Sequence, residues 1–225
     1  MTDEARQSAP ESTLMKKLAN ILPILGDTGL GLIAVTITAV SFNEPYSLLL
    51  VSWVLLWAYL PDLDGLLHFF NTNHFVADIE HGRDHREGLH YPLFWALMFS
   101  VVVYIFGLNA WTFSAVLVTV FHFLHDMIGV GWGVQILAPF DMGSYRLFSK
   151  KWVSADISLW PILIRYSPEE QVEAIRNLGE ADWIERYFCR LTPVSVIDYG
   201  LFVLGCTMLL ACILNPSGRA CARVH

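Results

Sequence analysis

The chain has 225 residues, of which 55% are hydrophobic and only 16% charged, with a mean hydropathy of +0.48 and a formal net charge of −7. A soluble domain carries roughly 25% charged residues, so this composition describes an integral membrane protein of one domain. It excludes a nucleic-acid-binding surface, which needs clustered Lys and Arg, and offers no basic block that would recruit acidic lipid headgroups.

Met1–Thr13 carries Asp3, Glu4 and Glu11 against Arg6. A secretory signal needs a basic start before a short apolar core, so this stretch reads as a polar tail. Leu14–Leu18 reads as a short amphipathic segment at the membrane interface. Apolar runs then predict five spans, at about Thr28–Phe42, Tyr46–Leu60, Tyr91–Leu108, Ala110–Asp126 and Ser195–Leu214. The first two are each about 15 residues, roughly 22 Å of helix, whereas a full crossing takes about 20 residues. They must extend into their flanks or thin the bilayer. Asn43-Glu44-Pro45 and Asn109 make the turns between spans, and Pro92 stands in a first turn, where its missing N–H costs little. Cys189, Cys206, Cys212 and Cys221 form no Cys-x-x-Cys pair, so they read as small buried residues rather than disulfides or zinc ligands.

Between the spans lie two long polar regions. Gly129-Val130-Gly131-Trp132-Gly133 ends the fourth span with alternating glycines that let backbone approach something closely. Ser167-Pro168-Glu169-Glu170 supplies an N-cap, a first-position Pro and an acid three residues on. It opens an amphipathic surface helix that reaches about Cys189. The predicted organisation is a tail and interfacial segment over 1–27, a membrane core over 28–140, a loop with a surface helix over 141–194, a last span over 195–214 and a tail over 215–225. The fold class is all-α: a polytopic membrane helix bundle of about five spans with a cytoplasmic amphipathic helix. Of the 14 Lys and Arg, all but Arg219 and Arg223 fall on the side of the N-terminus. The positive-inside rule puts that side in the cytoplasm of an inner (plasma) membrane protein.

This topology brings three chemical stretches to one membrane level. Tyr59-Leu60-Pro61-Asp62-Leu63-Asp64-Gly65 ends the second span, with Pro61 and Gly65 predicting a helix break and a turn. His85-Arg86-Glu87-Gly88-Leu89-His90 precedes the third span, and His122-Phe123-Leu124-His125-Asp126 ends the fourth. A carboxylate pair at the mouth of a span is costly unless something neutralises it. His122, His125 and Asp126 stand at i, i+3 and i+4 and share a helix face. His85 and His90 would diverge by about 140° on a regular helix, and converge only if Gly88 bends the chain. Neutral imidazole with carboxylate suits zinc, manganese or iron, and such a metal with an open position activates water and polarises a phosphoryl or carbonyl oxygen.

The segments PDLDG, HREGLHYPLF and HFLHDMIGVGWGVQILAPF resemble, in order and over about Leu60–Phe140, the signature segments of the YdjM-type family of inner-membrane proteins assigned as metal-dependent hydrolases. The resemblance implies that Asp62 and Asp64 take the acidic pair, His85-Arg86 and His90 the HR…H positions, and His122 and Asp126 the HxxxD positions. The chain departs from the pattern at Tyr91, where the family has Ser, and His125 has no fixed counterpart.

Other classes fit less well. The chain has no HExxH for a zinc intramembrane protease. A phosphohistidine lipid phosphatase would need a Ser-Arg pair upstream of His122, where Ala115-Val116 stands, and a Lys…Arg-Pro segment. An ion or proton carrier, or a structural membrane protein with an acid/histidine cluster, is the alternative from a different class. A carrier would place charges mid-span, yet Leu30–Phe42, Tyr46–Leu60, Pro92–Leu108 and Ala110–Phe121 contain none. The expected function is a membrane-bound hydrolase acting on an ester or phosphoester of a membrane-associated substrate. Asp62, Asp64, His90, His122 and Asp126 are the expected ligands of a divalent metal, with zinc favoured and manganese or magnesium possible. His85 is expected as ligand or general base, and Arg86 as the stabiliser of an anionic oxygen. The expected partners are the lipid bilayer and that substrate, which is a lipid or small molecule, and not nucleic acid.

Overall fold

A computed structural model of the chain describes Leu22 and residues 24–72, 77–78, 83–84, 86, 88–129, 131–148, 160–178 and 187–214. The polar tail, the Leu14–Leu18 segment, His85, Cys221 and residues 179–186 of the expected surface helix lie outside these.

Helix α1 runs over Ile24–Phe42 and α2 over Leu48–Tyr59. The break expected at Pro61 is milder than a turn. A single 3-10 turn over Leu60–Asp62 carries the proline, and α3 resumes at once over Leu63–Thr72. A proline in a first turn removes no intrahelical bond, so the chain tightens here without changing course. A two-residue strand pair follows, β1 (Ala77–Asp78) with β2 (Arg83–Asp84), then a 3-10 turn at Gly88–His90. Helix α4 is Pro92–Phe106 and α5 is Ala110–Ile128. Strands β3 (Ser144–Leu147) and β4 (Leu163–Tyr166), α6 (Pro168–Leu178) and α7 (Pro193–Leu214) complete the described elements.

Ile24–Phe42, Leu48–Gly65, Ala110–Ile128 and Pro193–Leu214 are long and apolar enough to cross a membrane, and Pro92–Phe106 is a shorter apolar helix of 15 residues. The shortfall of the first two predicted spans disappears because both extend, α1 to 19 residues and the α2 segment to 18. At 1.5 Å per residue that is about 27–28 Å, close to the roughly 30 Å hydrocarbon core. Side chains fix where the helices begin. Ser47 accepts from the Leu50 N–H, and Asn109 forms a capping box with Thr112.

Helix α1 stands against α7, α5 and α2. Its small residues set these distances. A Cβ at Gly29 would run into the backbone of Leu201 and Phe202, and one at Gly205 would lie 2.6 Å from the Gly29 carbonyl oxygen. Such close backbone contact drives helix association where lipid removes the hydrophobic incentive. Ala34, Val35, Leu50, Val54, Ala58 and Val118 fill the core between α1, α2 and α5. Trp57 meets Trp53, Trp95 and Phe99 edge-on or tilted, joining α2 to α4. Leu49, Leu56, Leu97, Val101, Val203 and Leu210 point outward as a surface suited to acyl chains.

The second polar region contains a feature no sequence pattern announced, an antiparallel hairpin that pairs Ser144 with Tyr166 and Leu147 with Leu163. Beside it the Arg165 guanidinium clasps Asp141, with Nη2 2.7 and 2.9 Å from the carboxylate oxygens, and the Gly143 N–H donates to the same group at 2.8 Å. These bonds hold the Asp141 carboxyl down at about 2. Helix α6 opens as the sequence predicts. Ser167 and Glu170 exchange bonds at 2.8 and 3.3 Å, and the apolar face of Ala174 and Ile175 sits on Trp132.

Two outcomes follow from this architecture. Gly29→Val should destabilise the protein by about 1–3 kcal/mol through overpacking, whereas Gly200→Ala, which meets open space, should melt with wild type in detergent. Equal melting of both variants would mean that α1 and α7 are not in close contact. The Asp141 carboxyl lies below its ordinary 3.8, so the clasp stabilises fully above that pH and is lost as pH falls through about 2. The Arg165 Nε–H resonance should shift across that window and stay fixed in Asp141→Asn. A flat wild-type resonance would remove the clasp.

Candidate metal centre

Three elements deliver the polar cluster. Asp62 sits in the 3-10 turn that ends the α2 segment. His90 ends the 3-10 turn before α4, where Gly88 takes φ +70° and the Trp95 indole N–H donates back to the Leu89 carbonyl. The bend that only a residue tolerant of positive φ makes cheaply is what turns His90 inward. His122 and Asp126 occupy successive turns of α5. Here helix order and apolar packing do the positioning, because Ala115, Phe123 and Met127 of α5 join Trp95 and Phe99 of α4 in one buried cluster.

The side chains converge closely. His90 is fully buried and His122 nearly so. Their Nε2 atoms face each other 3.4 Å apart. Asp62 Oδ1 lies 3.9 Å from the first and 3.6 Å from the second. Asp126 Oδ2 lies 2.6 Å from His90 Nε2 and 3.6 Å from His122 Nε2. Ligands at 2.0–2.1 Å around a tetrahedral ion stand about 3.3–3.4 Å apart, so the spacings among Asp62, His90 and His122 suit a small divalent cation, whereas Asp126 is at hydrogen-bond distance from His90. Asp62, His90 and His122 form a group able to hold one, their donor atoms all within 4.8 Å of one another.

Behind each imidazole stands an oxygen beside its other nitrogen. His90 Nδ1 lies 3.2 Å from the Pro61 carbonyl oxygen and 3.4 Å from Asp64 Oδ2. His122 Nδ1 lies 3.4 Å from Asp27 Oδ1. The Pro61 carbonyl accepts from a His90 Nδ1–H, the arrangement that orients metal-ligating histidines, while the Asp64 and Asp27 carboxylates stand behind the two rings as charge contacts outside hydrogen-bond geometry. Burial disfavours the imidazolium of His90, but Asp126 and Asp64 outweigh it and push the ring up to about 10, so a metal taking Nε2 must displace the proton shared with Asp126. Carboxylates gathered this tightly demand a cation. Arg86 supplies part of that charge, its Nη2 3.3 Å from Asp126 Oδ1 and its Nη1 donating to the Gly133 carbonyl at 3.2 Å.

Of the predicted residues, Asp62, His90, His122 and Asp126 therefore meet, Asp64 stands on the far side of the His90 ring, and Arg86 reaches the cluster through Asp126. His85 lies outside the described residues. His125, on the same helix face in sequence, turns instead toward α1 and α7. Its Nδ1 is 3.2 Å from Asp27 Oδ1 and its Nε2 is 2.8 Å from Asp198 Oδ1. Gly26 makes room for it, since a Cβ there would sit 2.7 Å from the ring. Sequence reasoning passed over Asp27 and Asp198. The available signal was a lone Asp within the apolar Ser195–Leu214 run, since an ionisable residue in a span needs a partner.

The His125–Asp198 contact makes its own prediction. His125→Leu leaves Asp198 without its described partner, and stranding a buried charge costs about 3–5 kcal/mol. The double variant His125→Leu/Asp198→Asn should recover a large part of that loss in thermal unfolding. A double variant as unstable as the single one would mean that the two side chains are not coupled.

Neither a curated protein nor a solved structure matches the chain. A family model described as YdjM inner membrane protein matches residues 24–196, which spans the cluster and every described long apolar helix up to the start of α7. With that match and its several apolar helices, the chain belongs to the YdjM inner membrane protein family and is a multi-pass inner-membrane protein.

Proposed function

We propose that the protein is a membrane-bound, metal-dependent hydrolase acting on an ester or phosphoester of a membrane-associated substrate. The observation that carries this reading is the pair of buried Nε2 atoms 3.4 Å apart with Asp62 at 3.6 and 3.9 Å. Asp62, His90 and His122 hold the metal, Asp126 closes the set, and zinc suits the two-imidazole, carboxylate donors best. A metal bound there supplies Lewis-acid polarisation of a phosphoryl or carbonyl oxygen. Asp64 and Asp27 fix the rings of His90 and His122 from behind. Arg86 holds Asp126 and offers positive charge to an anionic oxygen. His85 remains the proposed additional ligand or general base. The cluster lies where the apolar helices begin or end, which supports a substrate met at the membrane surface. The excess of Lys and Arg on the N-terminal side supports a cytoplasmic N-terminus and a cytoplasmic site.

One observation favours a second reading. Asp198, His125, Asp27 and His122 form a continuous chain of contacts at 2.8, 3.2 and 3.4 Å from the last helix to the cluster. Such a chain suits a proton relay, and proton flux into liposomes carrying the protein distinguishes a carrier from a hydrolase.

The test is metal content of the purified protein together with turnover of ester and phosphoester lipid analogues. Asp62→Asn and His122→Ala should lose both while remaining folded. Asp64→Asn, which removes only a ring-orienting group, should bind metal 10- to 100-fold more weakly. Unchanged metal content in both Asp62→Asn and His122→Ala would sink the metal site.

A further inference from the structure

Outside the cluster, the Gly131–Gly133 backbone holds a second arginine. Arg146, on β3, is 1% exposed. Its Nη1 donates to the Gly131 carbonyl, while its Nε and Nη2 are buried with no hydrogen-bond partner among the described residues. Among the described residues, the titratable groups that act on it are the Tyr166 hydroxyl, Arg86 and Tyr187, with no carboxylate. Arg86 is bound to the same strip of backbone through the Gly133 carbonyl, and its Nε is also buried without a partner. Gly133 permits this arrangement. It takes φ +86°, and a Cβ there would collide with the Tyr145 carbonyl, so the chain can press flat against β3 and present its carbonyls to both guanidiniums.

A buried guanidinium is always charged. Leaving its donors unpaired costs far more than an unmade neutral bond. Two of them on one strip of backbone, with Asp126 on Arg86 as the one counter-charge among the described residues, call for an anion. The planar fork of arginine matches the oxygens of a phosphate better than a point charge does. An ordinary structural arginine would have its donors spent on carbonyls or a carboxylate, and Arg146 has spent only one nitrogen.

We propose that Arg146 and Arg86 form an anion subsite for the phosphate group of the substrate, beside the cluster of Asp62, His90, His122 and Asp126. This rests on the hydrolase reading above and narrows its substrate class from esters in general to phosphoesters. Arg86 links the two halves, touching Asp126 at one end and the Gly133 carbonyl at the other.

The experiment uses the full chain in detergent, stripped of metal by chelation, with inorganic phosphate titrated by calorimetry and by 31P line broadening. Wild type should bind phosphate, Arg146→Gln should weaken binding at least about tenfold, and Arg146→Lys, which keeps charge but loses the fork, should fall between them. Arg176→Gln, an exposed arginine on α6, should match wild type. If Arg146→Gln does not elute as a folded protein, Arg146→Lys decides. A second arm places the protein in nanodiscs of phosphatidylcholine with or without phosphatidic acid. Binding of free phosphate alone assigns a soluble phosphoester, and competition of phosphatidic acid with phosphate assigns a lipid headgroup. Absence of binding to both probes in wild type, or Arg146 variants that bind as tightly as wild type, would overturn the proposal. Because binding is read without metal, failure of the metal site appears separately, as no uptake of zinc by wild type.

Discussion

Carboxylates beside hydrocarbon are among the most expensive groups a protein can carry, and this bundle gathers five at one end: Asp64 and Asp198 buried, Asp27 and Asp126 half-buried, and Asp62 the most exposed. Their cost is offset only by positive charge and hydrogen bonds held at short range. His90, His122, His125 and Arg86 provide those, the histidines set between acidic partners from different elements and Arg86 between Asp126 and the Gly133 carbonyl. The arrangement has little freedom. Moving any one helix end by a side-chain length would strand a charge, so the electrostatic demand fixes how the helix ends meet.

The apolar part of the fold makes that meeting possible. Gly29 and Gly205 bring α1 and α7 into backbone contact, and Gly26 clears space for the His125 ring. With larger residues at these positions, Asp198 could not come within 2.8 Å of His125. On the other side, Trp57, Trp95 and Phe99, packed edge-on and tilted, join α4 to α2. The tie from Trp95 to Leu89 then places His90 against α5. Packing in the membrane core and chemistry at its edge are thus one structure, linked through short turns.

The polar segment after α5 adds a second layer. The Gly131–Gly133 backbone lies against β3, with Val134 and Tyr145 exchanging bonds at 2.9 and 2.8 Å. The hairpin is steadied by the Asp141–Arg165 clasp and by α6 through Trp132. Its consequence is electrostatic. A strip of glycine carbonyls carries arginines on it next to a carboxylate-rich cluster, and Arg86 joins the two through Asp126.

The sequence by itself determined the membrane class, the apolar helices and the α6 cap, because hydropathy, span length and capping chemistry act over a few neighbouring residues. Ser167 begins a helix where its capping pattern put it, and Asn109 stands at the turn the sequence marked, while its capping bonds and those of Ser47 are seen only in the structure. The sequence also marked His122 and Asp126 as neighbours on one helix face, and the glycines after them as a place of close backbone approach. It did not reveal that Pro61 merely tightens a helix, that both early spans reach full length, or that a hairpin forms in the second polar region. Only the tertiary structure decided which nitrogen of each imidazole faces the cluster, that Asp64 stands behind His90, and that His125 leaves its helix-mates for Asp27 and Asp198. Those outcomes depend on the distances between helices that are far apart in the chain. Such distances are set by how small residues and tryptophans let the helices approach, which no local pattern encodes.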